Sequence, residues 1–312
     1  MIDRVPKGGA GKLGPSEGRI RGAELSSAGE VSLIGFDSAW TDKPSAPGAI
    51  CVLRLDGDGQ ASWTEPRLVA FADALEVIRA EQRLAPLCLV ALDQPTIVPN
   101  VTSLRPVDRV AASLISWLGG GVQPANRSKI GMFDDNAPIW QFKGTLGAIE
   151  DPEEARIART GLYLMEVFPA LALPSIAPEF FGRNLCPRYN PARRKTYSRA
   201  GWDSVARAIE RYAASAGLAC IAEWAERLPL LQQPRKADQD RLDAVICALV
   251  AFAWRKLPRS ECVMIGDLSS GYMISPASDD VRRRLTEAAA GCRVPIDGKL
   301  VSNSGERLLS VA

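Results

Sequence analysis

Leu87-Cys-Leu-Val-Ala-Leu-Asp93 is apolar at six successive positions and then ends on a carboxylate. A run this short with no polar face reads as a strand covered on both sides, the place such strands occupy inside a largely parallel sheet. Val31-Ser-Leu-Ile-Gly-Phe-Asp37, with four large apolar residues in seven, reads as a second buried strand, and it also ends on aspartate. Parallel strands need crossovers. The residues between supply them.

Residues 49 to 55 and 61 to 64 flank Asp56-Gly-Asp-Gly59 and read as a hairpin, its second arm extended by 67 to 70. Phe71, Ala74, Leu75, Ile78 and Gln82 keep helical spacing over 71 to 84, closed by Pro86. Val107, Val110, Ala111, Leu114 and Leu118 mark a second helix, stopped by the glycines at 119 to 121. Residues 119 to 150 read as a long loop, and 162 to 167 as a fifth strand ended by Pro169. An insertion of loop and helix spans 170 to 235, with an amphipathic helix on Trp202, Val205, Ala206, Ile209 and Ala213. The strongest helix, 237 to 254, turns Leu242, Ile246, Leu249 and Ala253 inward. Val263 to Gly266 reads as one more strand, and 278 to 290 as a surface helix. The alternation predicts an α/β protein, a mixed sheet with helices on both faces. Residues 30 to 275 form its domain and 276 to 312 a C-terminal helix and tail. Residues 1 to 29 are rich in Gly, Ser and charge, lack the apolar core of a signal peptide, and read as a disordered leader.

The chain contains no histidine. That removes the commonest general base, histidine-ligated zinc and every Ser-His-Asp triad. Any chemistry falls to carboxylates, lysines, cysteines or bound metals. Seven cysteines, none in a CxxC pair, read as reduced and buried. Lys plus Arg at 38 nearly balances Asp plus Glu at 36, so a polyanion site would have to be local. No run approaches the roughly twenty apolar residues that span a bilayer, and a cytoplasmic, non-membrane protein is expected.

Four aspartates stand where ligands gather. Asp37 and Asp93 end strands, and sites of open α/β sheets lie beyond the carboxyl ends of parallel strands. Asp240 and Asp243, three apart, share a face of the last long helix. Taken singly, a strand-end aspartate is usually a turn former or cap, and a helix pair usually a solvated face. Converging carboxylates repel unless protonated or neutralised, and Mg²⁺ or Mn²⁺ is the natural neutraliser where oxygen is the available donor.

Gly35-Phe-Asp37-Ser-Ala-Trp40, Ala91-Leu-Asp93-Gln-Pro95, Arg105-Pro-Val-Asp108-Arg109, Glu166-Val-Phe-Pro169-Ala170 and Asp240-Arg-Leu-Asp243-Ala244 resemble, in order, blocks of the domain-of-unknown-function family 429, described as predicted RNase-H-like nucleases. The segment from Lys236 to Ala244 is also similar to the final helix of Holliday-junction resolvases. The resemblance spans roughly 31 to 275 and implies an RNase-H-like sheet, with Asp37 on the first strand, Asp93 on the fourth and Asp243 on the closing helix as metal ligands. Some members carry His-Pro-Glu where this chain has Phe168-Pro169-Ala170.

Arg183, Arg188, Arg193, Arg194, Lys195 and Arg199 fall in a stretch without a carboxylate, interleaved with Tyr189 and Tyr197. Such a segment suits phosphates, with tyrosines stacked on bases; a solvated basic loop is the plainer reading. Arg105 and Arg109 are further candidates for phosphate, or partners of Asp108 in a local ion cluster, and Glu166 is an auxiliary ligand or an arginine's partner. The glycines at 119 to 121 and the segment 266 to 271 lack Walker spacing and read as turns.

The leading expectation is a metal-dependent nuclease or resolvase-like phosphodiesterase acting on DNA or RNA. Asp37 would bridge two ions, Asp93 and Asp243 would hold one each, Asp240 would assist, and Arg193, Arg194 and Lys195 would grip the backbone. Two alternatives stand beside it. One is a non-catalytic nucleic-acid- or protein-binding module with a vestigial acidic site. The other is an actin- or sugar-kinase-type phosphotransferase, which the absence of a phosphate-hairpin glycine after Asp37 disfavours.

Overall fold

The computed structural model describes residues 31–43 and 45–300; the expected leader, 1 to 29, and the tail after 300 lie outside the described residues. Five strands, β1 (Val31–Asp37), β2 (Gly48–Leu55), β3 (Ala61–Val69), β4 (Leu87–Leu92) and β5 (Gly161–Glu166), form one sheet in the order β3-β2-β1-β4-β5. Strand β2 runs antiparallel to both β1 and β3, whereas β1, β4 and β5 are mutually parallel. The all-apolar run is thus interior and parallel, as its composition requires.

Side-chain parity divides the core. Leu33 of β1 and Leu89 and Ala91 of β4 join one apolar cluster, while Ile34, Phe36, Val90 and Leu92 join another across the sheet. The second face is covered by α1 (Phe71–Gln82) and α3 (Pro138–Leu146), through Phe71, Ala74, Ile78, Ile139 and Phe142. Here the structure corrects the long loop expected over 119 to 150. Pro138 at the first helical position, apolar residues at 139, 142 and 146 and the left-handed Gly147 (φ 64°) make α3 a short helix. The ring of Phe142 stacks on that of Phe71 with centroids 4.8 Å apart. Three anchors in so short a window are a weak periodic signal.

The first face is covered by α8 (Lys236–Lys256), reached after α2 (Pro106–Trp117), α4 (Pro152–Ile157), α5 (Pro169–Ile176), α6 (Arg199–Ser215) and α7 (Ala219–Glu226). A Cβ on Gly35 would overlap the Ala244 carbonyl oxygen and stand 2.5 Å from the Ala248 backbone nitrogen, so only glycine in β1 admits α8 this closely. From Leu242 to Trp254 every residue of α8 is buried: besides the sheet, α4, α5 and the strand Gly271–Pro276 pack against it, and it shares one apolar cluster with Trp202, Val205, Ile209 and Trp224 of α6 and α7.

In place of the single late strand expected, four strands form a second sheet in the order β7-β6-β8-β9: β6 (Cys262–Asp267), β7 (Gly271–Pro276), β8 (Pro295–Ile296) and β9 (Lys299–Leu300). The 266 to 271 segment is a turn, as expected, but a hairpin turn whose second arm was unrecognised. The Asp267 carboxylate accepts the Ser269 and Ser270 amides at 2.8 and 2.7 Å within it. Helix α9 (Asp279–Cys292) packs Val281, Leu285 and Ala289 on this sheet together with α2. Cys51, Cys88, Cys247 and Cys262 are buried free thiols, Cys186 and Cys220 are half-buried, and Cys292, contrary to expectation, is exposed.

Candidate binding cleft

Asp37 continues the odd-numbered parity of β1 and Asp93 that of β4, so both face the side covered by α8. The parallel register pairs Phe36 with Leu92, and the Asp93 amide donates to the Phe36 carbonyl at 2.9 Å, which sets the two carboxylates level at neighbouring strand ends. Seated by Gly35, the first turns of α8 lie across these ends. Asp37, Asp93, Asp108, Glu166, Asp240 and Asp243 consequently line one cleft of about 650 Å³.

Burial, followed by the charges of Asp93 and Asp243, holds the Asp37 carboxyl well above its usual range. Burial and Asp243 do the same to Asp93. For Asp243, burial outweighs the stabilising Tyr189, Lys236 and Gln239 and lifts the pKa to about 7. The solvated-face reading of the helix pair does not hold: Asp240 and Asp243 are 7% and 5% exposed.

Proximity does not make these groups a metal site. Among the described residues, no group of three or more His, Cys, Asp or Glu side chains could hold a metal ion. This overturns the expected Mg²⁺ or Mn²⁺ centre on Asp37, Asp93 and Asp243, and with it metal-dependent phosphodiester hydrolysis and the nuclease assignment. The cause is visible in where the lone pairs go. Lys236 takes Asp240. The Tyr189 hydroxyl donates to Asp243 Oδ1 at 2.8 Å and the Gln239 amide to Oδ2. Asp108 and Glu166 are spent on Arg105, whose guanidinium donates to Asp108 Oδ1 at 2.8 Å and to Glu166 Oε1 and Oε2 at 2.6 and 2.9 Å. Asp37 and Asp93 remain, and hard divalent ions need about six oxygen donors, of which two carboxylates are too few to anchor a multi-metal centre.

Arg105 is fully buried, donates also to the Ile97 carbonyl at 2.9 Å, and does not reach the cleft as a phosphate ligand; it fixes the loop after β4. Arg109, Arg194 and Lys195 are exposed and stand off the cleft, whereas Arg188 and Arg193, also exposed, line its wall. Tyr189 is 8% exposed and committed to Asp243, so it is no free stacking platform.

The reading of the sequence missed Gln239, gave Trp40 no role beyond its place in a motif, and gave Tyr189 a different one, base stacking. Gln239 lies one turn before Asp243, a spacing that could have revealed it. Trp40, half-buried, donates its indole N–H to the Asp93 carbonyl at 3.2 Å. Tyr189 reaches α8 across more than fifty residues, which no local pattern announces. Two buried acceptors on the cleft, Asp37 Oδ2 and Gln239 Oε1, have no hydrogen-bond partner. Orphaned buried acceptors are costly and mark places where a ligand completes the bonding.

No protein-family model, curated protein or solved structure matches the chain. Among the described residues, no helix is long and apolar enough to cross a membrane.

Proposed function

We propose that the chain is a non-catalytic nucleic-acid-binding module, built on an RNase-H-like sheet whose acidic site is catalytically vestigial. The placing of Asp37 at the end of β1, Asp93 just past β4 and Asp243 on α8 supports the RNase-H-like part of this reading. One observation carries the binding part. Between Glu179 and Asp203 there is no carboxylate, and Arg183, Arg188, Arg193, Arg194 and Lys195 are exposed with no ion pair among the described residues. Unpaired cations along one strip release counterions from a phosphate backbone at little desolvation cost.

The strip is held in place rather than loose. The Asn184 and Cys186 amides donate to the Trp117 and Leu118 carbonyls at 3.1 and 2.7 Å, and the Tyr189 hydroxyl ties it to α8. Arg188 and Arg193 therefore stand on the wall of the cleft, with Arg183, Arg194 and Lys195 outside it. The test is fluorescence anisotropy with short single-stranded DNA and RNA over a range of salt. Replacing Arg193, Arg194 and Lys195 together by alanine is expected to weaken binding and to flatten the log–log salt slope by about 2, since each phosphate no longer neutralised takes ~0.7 from it. Absence of binding at low salt, or a salt-independent affinity, would sink the reading.

A further inference from the structure

Trp40 brings an indole ring into the cleft, and the ring is held from two sides. Its N–H donates to the Asp93 carbonyl at 3.2 Å, and the ring meets that of Phe133 edge to face, centroids 5.3 Å apart, against an apolar cluster that includes Val98 and Ala125. The half-buried side chain still lines the cleft, as do Met132 and Phe168. An aromatic ring fixed before a ligand arrives loses little freedom when the ligand binds, so its whole contact area counts towards affinity.

The rest of the cleft sets what the ring can hold. A cavity of about 650 Å³ is of the size that encloses one small ligand, such as a single nucleotide. Arg188 and Arg193 stand on its wall with no ion pair among the described residues, ready for phosphate. The polar groups around them do not select one ring. The Lys236 ammonium lines the cavity as a donor, while the half-buried Asp93 carboxyl, held above its usual range by burial and by Asp243, accepts when ionised and donates when protonated. Any base edge finds a partner among such groups, and every base has a π-face for stacking. A base inside a duplex has both faces covered and must be flipped out at a cost of a few kcal/mol, whereas a single strand offers its bases already open.

We infer that Trp40 is the stacking platform for one base of a single-stranded nucleic acid, seated in the cleft whichever base it is, with its flanking phosphates on Arg188 and Arg193. This deepens, and rests on, the nucleic-acid-binding reading. It divides the affinity into two parts, a salt-dependent one from the arginines and a salt-independent one from the indole ring.

The test removes the bases and keeps the phosphates. Fluorescence anisotropy of the full chain with a short oligothymidylate and with an abasic strand of the same length is expected to favour the oligothymidylate by roughly fivefold to a hundredfold, with oligoadenylate and oligocytidylate within about tenfold of it. Trp40→Ala should bring the ordinary and abasic strands to within about twofold of each other while leaving the abasic affinity and the salt slope unchanged, and Trp40→Phe, which keeps a ring, should retain a preference of several-fold. Equal binding of the two strands by the wild type would overturn the seat, and a steep salt slope on both would leave the module reading standing. A Trp40→Ala variant weakened equally towards both strands would also overturn it, since the ring would then serve the fold and not the base. Failure of every strand to bind at low salt would remove the module reading and the seat with it.

Discussion

Replacing Asp37 by asparagine isolates the repulsion that folding builds into the cleft. The side chain is 7% exposed and accepts no hydrogen bond from the described residues, so the substitution removes a charge without orphaning a donor. Burial and the neighbouring Asp93 and Asp243 charges raise its pKa in the folded state. Over the interval between the unfolded and folded values, the folded protein holds a proton that the unfolded chain has released. Stability from this source is full below the unfolded pKa and is lost as pH rises through the folded one. Asp243 fixes the scale: a rise from 3.8 to about 7 corresponds to about 4 kcal/mol, shared among the coupled carboxylates and lost between roughly pH 4 and pH 7. Urea unfolding of wild type and Asp37→Asn should give equal stabilities within about 0.5 kcal/mol near pH 4, and a variant more stable by about 1 to 3 kcal/mol near pH 8. A variant less stable than wild type near pH 8, or one with an unchanged pH slope, would refute the argument that burial and the neighbouring carboxylates outweigh the Lys236 charge at Asp37.

Two further substitutions test the framework around the cleft by the same unfolding measurement. Gly35→Ala drives a methyl group into the backbone of α8 at Ala244 and Ala248 and should cost about 1 to 3 kcal/mol; a neutral effect would mean that α8 does not depend on this close approach. Glu166→Ala leaves the fully buried Arg105 guanidinium facing Asp108 alone and should cost about 3 to 5 kcal/mol, with Glu166→Gln recovering part of it. A loss under about 1 kcal/mol would show that the Arg105 network contributes little.

The main sheet was readable because its signals are local. Six apolar residues before Asp93 require a covered strand, the Asp56 to Gly59 turn requires a hairpin, and the spacing in 71 to 84 allows one amphipathic face. Helix α3 and the second arm of the late hairpin were not readable, since three apolar anchors or a six-residue strand become structure only when Phe71 or β6 is there to pack against. The same division runs through the cleft. Strand parity and the three chain-distant segments bearing Asp37, Asp93 and Asp243 were enough to bring the aspartates to one place, because residue type and alternation set which way a buried strand faces. What the aspartates do there depends on their partners. Lys236 and Gln239 sit one helical turn away from Asp240 and Asp243, but Tyr189 reaches Asp243, Arg105 reaches Glu166 and Gly35 meets α8 from far along the chain, and these contacts complete the occupation of the lone pairs and set the depth of α8. Composition and periodicity determined the layers and the acidic floor. Only the tertiary structure decided that the floor is a hydrogen-bonded, proton-holding cleft instead of a metal centre, because whether a carboxylate is free to ligate is a property of the groups packed around it.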